Sequence, residues 1–175
     1  MSNSLEALVA VTLEQPVEEA WQRLADFSLA HHYVPGLTAT EIVSAARSGP
    51  GAHRRVYTGE KYLEETISDW REGEGFTILL HKGSRPMPPF KAAEFDYQLS
   101  PLDGTQTRVM LSLRFIMPLG GLGKFLGRSL ILPVMTKQLV AVAAGMKHFY
   151  ETGNPASDED RKRLAGTVDI GAASV

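Results

Sequence analysis

His31, His32, His53, His81 and His148 are the side chains of this sequence best suited to moving a proton near neutral pH. None stands in a metal-ligand spacing such as HExxH, so no metal and no cofactor is expected. The chain has no cysteine, which excludes disulfides, thiolate nucleophiles and thiolate metal sites. His31 and His32 are adjacent and precede Tyr33, and His32 is a weak candidate for proton transfer. A surface or capping pair is the competing role. Glu65 is the other weak catalytic candidate. It shares strand parity with Ile67 and Asp69, so an inward Ile67 carries Glu65 inward. A carboxylate in apolar surroundings has a raised pKa and can act as a base or accept a hydrogen bond from a ligand. Its alternative is an ion pair with Arg54, Arg55 or Lys61. Tyr57 and Tyr97 place a hydroxyl on an apolar body, which suits them to hold one end of a greasy molecule. Arg114 alternates with Leu113 and Phe115 and is expected to face away from them.

The elements that must position these groups follow from pattern. Residues 5–13 read as a first strand. Residues 15–27 read as a helix, with Pro16 at its start, Glu18 and Glu19 near the positive end of its dipole, and Val17, Ala20, Trp21, Leu24 and Phe27 at spacings of three and four. One more helical turn is expected at 29–34, stopped by Pro35 and Gly36. Six further strands follow, at 38–45, 53–58, 62–70, 76–82, 92–100 and 105–117. The last two alternate most cleanly: Phe95, Tyr97 and Leu99 oppose Glu94, Asp96 and Gln98, while Val109, Leu111, Leu113 and Phe115 oppose Arg108, Met110, Ser112 and Arg114. One face of the sheet is therefore covered and the other is wet. After a glycine-rich break comes a helix over 122–152, kinked or divided at Pro133, with Leu139, Val142, Ala143, Met146, Phe149 and Tyr150 along one stripe. Residues 1–152 form one domain, and the charged, small-residue stretch 153–175 is expected to be a flexible tail.

A chain of 175 residues suits one domain with a sizeable core. Its net charge of -2 hides an asymmetry: residues 105–150 contain no Asp or Glu but carry Arg108, Arg114, Lys124, Arg128, Lys137 and Lys147. These cations are spread singly rather than clustered with aromatics, so no nucleic-acid partner is expected. The apolar residues and isolated cations of 120–135 would suit a weak membrane-surface contact or a lid, against an ordinary helical lead-in. The N-terminal residues lack the basic start and long apolar run of a signal peptide, which points to a cytoplasmic location. Monomer and homodimer are both compatible with the sequence.

Strand, two short helices, six strands and a long helix make an α+β fold in which a seven-stranded curved antiparallel sheet wraps the C-terminal helix. In that order the chain resembles the START-like superfamily, the polyketide cyclase/dehydrase and lipid-transport (SRPBCC) group, with the helix-grip fold of the major birch pollen allergen. The matching segments are QPVEEAWQRLADF at 15–27, HHYVPGL at 31–37, LEETISDW at 63–70 and SPLDGTQTRVMLSLRF at 100–115. Tyr33 stands where that group often has tryptophan. The resemblance implies a cavity between sheet and helix, with residues 31–33 at its mouth. Its expected lining is Tyr33, Tyr57, Glu65 and Ile67, then Phe76, Ile78, Phe95 and Tyr97, then Leu111, Leu113 and Phe115, and Leu139, Val142 and Met146 from the helix, with Gly145 leaving room. The first functional reading is binding of a small hydrophobic molecule, a lipid, aromatic or polyketide-like compound, with no chemistry or minimal chemistry. Alternatives are a metal-free cyclase/dehydrase-type enzyme using Glu, Tyr and His, and a protein-interaction module or complex subunit without a ligand.

Overall fold

The alternation of the sequence is realised as one antiparallel sheet bent around a helix. The structure, a computed structural model, describes residues 4–171. The strands are β1 (Ser4–Leu13), β2 (Ala39–Ile42), β3 (His53–Thr58), β4 (Lys61–Arg71), β5 (Gly75–Lys82), β6 (Arg85–Pro86), β7 (Ala92–Pro101), β8 (Thr107–Ile116) and β9 (Asp169–Ile170). They are ordered β2-β3-β4-β5-β7-β8-β1-β9, with β6 paired to β5. Helix α1 (Val17–Ala25) and a 3-10 turn (Ala30–His32) follow β1. Helix α2 (Gly120–Leu126), a π-turn (Gly127–Ile131) and α3 (Leu132–Thr152) follow β8, and α4 (Asp158–Leu164) comes last. The sheet thus has nine strands where seven are expected. The two additions, β6 and β9, are two residues each, too short to show a periodic pattern.

The wet and dry faces separate as the alternation requires. Val109, Leu111, Leu113 and Phe115 of β8 are buried, as are Phe95, Tyr97 and Leu99 of β7. On the outer face Arg71 reaches Asp96 at 2.8 Å, and Arg114 reaches Glu6 at 3.3 Å and Glu94 at 3.7 Å. In β4 a bulge between Ile67 and Asp69 breaks the parity. Asp69 therefore joins the outer face, where it pairs with Arg71. Trp70 turns in to stack on Phe76, with ring centroids 5.6 Å apart. The Trp21 and Trp70 indoles meet edge to face at 4.9 Å, and both donate to the Glu72 carboxylate. Those contacts fasten α1 to one end of the sheet.

Pro133 lies in the first turn of α3, where its missing N–H costs no hydrogen bond. The division falls just before it, in the π-turn. α3 then buries Leu139, Val142, Met146, Phe149 and Tyr150 against the sheet, and Gly153, in the left-handed region, ends it.

The stretch after residue 152 is not a flexible tail within the described residues. Ser157 accepts from the Asp160 amide and the Asp160 carboxylate accepts from the Ser157 amide, a reciprocal cap. Acidic residues occupy the first turn of α4 and basic ones the last, as its dipole favours. The same charges that read as a solvated tail are the end-signals of a short helix. It is tied down by Arg161, which is buried and donates to the Tyr33 carbonyl oxygen at 3.3 Å. β9 pairs with β1, and the Gly171 amide donates to the Leu8 carbonyl oxygen at 2.8 Å.

Candidate functional site

The polar groups inside the grip converge on one arginine. Arg54 shares the inner face of β3 with Val56 and lies opposite Glu65 of β4 in the register. Both its Nε and Nη2 stand 2.5 Å from Glu65 Oε2, while Nη1 donates to the Phe27 carbonyl oxygen at 2.7 Å. The guanidinium plane lies over the Phe27 ring, 3.9 Å from its centroid. Only 2% of Arg54 is exposed. Phe27 is placed by the apolar face of α1, and its carbonyl is available because the helix has already ended at Ala25.

Two tyrosines complete the cluster. Tyr33 follows the 3-10 turn, Tyr97 comes from β7, and the Tyr33 hydroxyl donates to that of Tyr97 at 3.4 Å. Around them Phe95 and Tyr97 approach to 4.6 Å, Phe76 and Tyr97 to 5.1 Å, and Phe27 and Phe76 to 5.8 Å between centroids. Tyr150 meets Tyr33 edge on at 6.1 Å, and its buried hydroxyl has no hydrogen-bond partner among the described residues.

Burial and neighbouring charges displace the pKa values of Arg54 and the three tyrosines. Burial pushes the Arg54 pKa down, but Glu65 and then Tyr33 and Tyr97 outweigh it, and the net displacement is upward. Burial pushes Tyr97 and Tyr150 well above the usual phenol value, with Tyr33 adding to both. Tyr33 is raised by its own burial, against the opposing pull of Arg54. These three phenols stay protonated and can donate hydrogen bonds. The arrangement sets a cation and phenolic hydroxyls among side chains that are otherwise aromatic and aliphatic.

The expected lining residues separate into groups. Tyr33, Glu65, Ile67, Phe76, Ile78, Phe95 and Tyr97 all face inward and are buried, as are Leu111, Leu113, Phe115, Leu139, Val142 and Met146. Tyr57 does not join them. It shares parity with His53 and Arg55, faces out, and its hydroxyl donates to Glu41 at 2.6 Å. His32 lies at the margin, half-buried, stacked on Phe149 at 5.0 Å and beside His31 at 4.1 Å. Its ring is not part of the Arg54 cluster. Gly145 leaves no room for a ligand: a Cβ there would sit 2.2 Å from the Tyr33 carbonyl oxygen, so the glycine lets α3 touch the backbone at residue 33. In the sequence Arg54 stands out only as a partner for Glu65, and its shared parity with Val56 is the signal that places it inside. Neither Arg161 nor the Tyr150 hydroxyl stands out there.

A hollow of about 270 Å³ lies outside the grip between α3 and α4, lined by Pro35, Val140, Ala141, Arg161 and Ala165 among others. It is formed by the segment after residue 152.

Comparison with known proteins agrees with this architecture. Residues 6–147 match the family model described as polyketide cyclase / dehydrase and lipid transport. No curated relative matches the chain by sequence. Among solved structures, the Zhui aromatase/cyclase from Streptomyces sp. R1128 superposes with a TM-score of 0.67 at 17% identity, covering 85% of this chain and 94% of that one. A START superfamily protein from Mycobacterium smegmatis gives 0.65 at 14% identity, covering 86% and 99%. Ara h 8.0201 gives 0.57 at 16% identity, covering 82% and 97%. At such identities the likeness is one of fold. The sequence match spans most of the chain, the helix-grip architecture is present, and α4 and β9 lie beyond the matched region: this chain belongs to the polyketide cyclase / dehydrase and lipid transport family, with a C-terminal segment packed onto the family domain.

Proposed function

We propose that the domain binds a small, mostly apolar molecule inside the grip, with one hydroxyl or carbonyl group of that molecule set against Arg54, Tyr33 and Tyr97. The observation that carries this reading is the position of Arg54, 2% exposed among aromatic side chains. Apolar residues of similar volume would fill this space at no net cost to stability, because desolvating two charges offsets most of their attraction. A polar anchor gives the cluster a use that packing alone does not. A lipid, an aromatic or a polyketide-like compound has the required form. A cyclase/dehydrase-type reaction is the second reading, and it draws on the same atoms. Arg54 with neutral Tyr33 and Tyr97 could polarise a ketone, leaving Glu65 to take a proton. Glu65 is already held by Arg54 at 2.5 Å, which favours binding over proton abstraction.

Thermal shift with 2-naphthol and naphthalene, two probes of nearly equal size, tests the anchor. A ligand at a hundred times its Kd stabilises the fold by about 2.7 kcal/mol. 2-Naphthol should therefore raise the melting temperature at concentrations where naphthalene has little effect. Equal shifts, or none with either probe, would refute the reading.

A further inference from the structure

Between residues 119 and 134 the normal distribution of side chains on a surface helix is inverted. Gly123 and Gly127, four residues apart, form the face turned towards the domain. A Cβ at Gly123 would lie 1.6 Å from the Pro118 carbonyl oxygen. One at Gly127 would lie 2.6 Å from Met117 Cγ and 2.7 Å from Leu5 Cδ1. No larger side chain fits on that inner face. The large apolar ones therefore point away: Leu122, Phe125 and Leu130 are 64%, 67% and 62% exposed, and Leu119, Leu126 and Val134 extend the same surface. Isolated exposed apolar residues are ordinary, but a run of them on one element marks an interaction surface.

The charge around this surface selects its partner. Arg128 lies within it, and Lys137 falls seven residues after Leu130, on the same side of the helix. No acidic residue occurs anywhere in 105–150. Self-association through a two-fold axis would set the cations of each copy against a surface with no carboxylate of its own. An anionic lipid surface offers the opposite charge and an apolar layer together. The stretch Gly120–Thr152 has the length and composition to cross a membrane. In the structure, however, α3 buries Ala143, Ala144, Met146 and Phe149 against the sheet, so contact with lipid is through the outward face of α2 and the π-turn. We propose that this face docks the domain on an anionic bilayer surface, with Leu122, Phe125 and Leu130 entering below the headgroups and Arg128 and Lys137 at the level of the phosphates.

Cosedimentation of the full chain with vesicles of phosphatidylcholine, alone or mixed with phosphatidylglycerol, tests the proposal. The protein should bind the anionic vesicles and bind the neutral ones weakly. Arg128→Ala should weaken binding to the anionic vesicles about fivefold, the effect of one cation at such a surface. Phe125→Ser with Leu130→Ser should weaken it at least about tenfold through lost apolar insertion. Both variants should keep the native melting temperature, since the replaced side chains face solvent. In Phe125→Trp, the added indole emission should move to shorter wavelength on vesicle binding. Equal binding by the wild type and the serine variant would overturn the proposal. So would a dimer in sedimentation equilibrium that the serine substitutions dissociate while vesicle binding stays absent, which would assign the surface to a second copy of the chain.

Discussion

Removing Glu65 alone and replacing it together with Arg54 should have opposite effects on stability. In Glu65→Ala the guanidinium remains 2% exposed and loses its carboxylate partner, keeping neutral acceptors such as the Phe27 carbonyl oxygen. An uncompensated buried charge of this kind costs about 3–5 kcal/mol. For a chain of this length each kcal/mol moves the melting temperature by about 2–4 °C, so a fall of roughly 6–20 °C is expected. In the double variant Arg54→Met/Glu65→Leu both charges leave and the volume stays filled. Stability should be unchanged or higher, by up to about 4 kcal/mol. Binding should not follow stability. Only the double variant loses the cation that meets the ligand oxygen, a charged hydrogen bond contributing about 1.5–3 kcal/mol, or roughly ten- to a hundredfold in affinity, while Glu65→Ala keeps it. Calorimetric melting of the wild type and the two variants, followed by 2-naphthol titration of each, measures both quantities. A double variant that melts as early as Glu65→Ala would show that the pair is structural. One that binds 2-naphthol as the wild type does would show that the anchor lies elsewhere.

Two further outcomes follow from the same packing. Tyr33, Tyr97 and Tyr150 have folded-state pKa values raised above the ordinary phenol value of 10, by burial first. The stability they contribute is complete below that value and is lost as pH rises through the folded-state values. Absorbance at the phenolate band should therefore show these three ionising only as the protein unfolds in alkali, and early ionisation of all five tyrosines in the folded state would contradict their burial. Gly145→Ala should destabilise the fold by about 1–3 kcal/mol, although alanine is the better helix former by about 1 kcal/mol. The new Cβ would stand 2.2 Å from the Tyr33 carbonyl oxygen, and denaturant unfolding that showed a gain in stability would refute that contact.

The parts legible in the sequence were those governed by repetition. The alternation of β7 and β8 and the stripe of α3 repeat a burial rule often enough that a single exception does not hide it. What stayed hidden depended on one residue at a time. The bulge after Ile67 sends Asp69 out and Trp70 in, yet no residue type in LEETISDW announces it. Arg54, Arg55 and Lys61 are equivalent in the sequence as partners for Glu65, and only the register, which sets Arg54 opposite Glu65, separates them. Tyr57 was misplaced because its phenol is at home on either face. α4 was obscured because a helix capped and charged at both ends has the composition of a disordered segment, and only the partner of Arg161, 128 residues away at Tyr33, distinguishes the two. The fold rests on many weak, repeated preferences. The candidate site rests on a few pairings between distant positions, Arg54 with Phe27 and Glu65 and Tyr33 with Tyr97, each of which requires the sheet to have closed before its partner can be identified. Single substitutions at Arg54 or Tyr97 should therefore alter ligand binding while leaving the strand order intact, whereas a polar residue at Leu111 or Met146 would act on the grip itself.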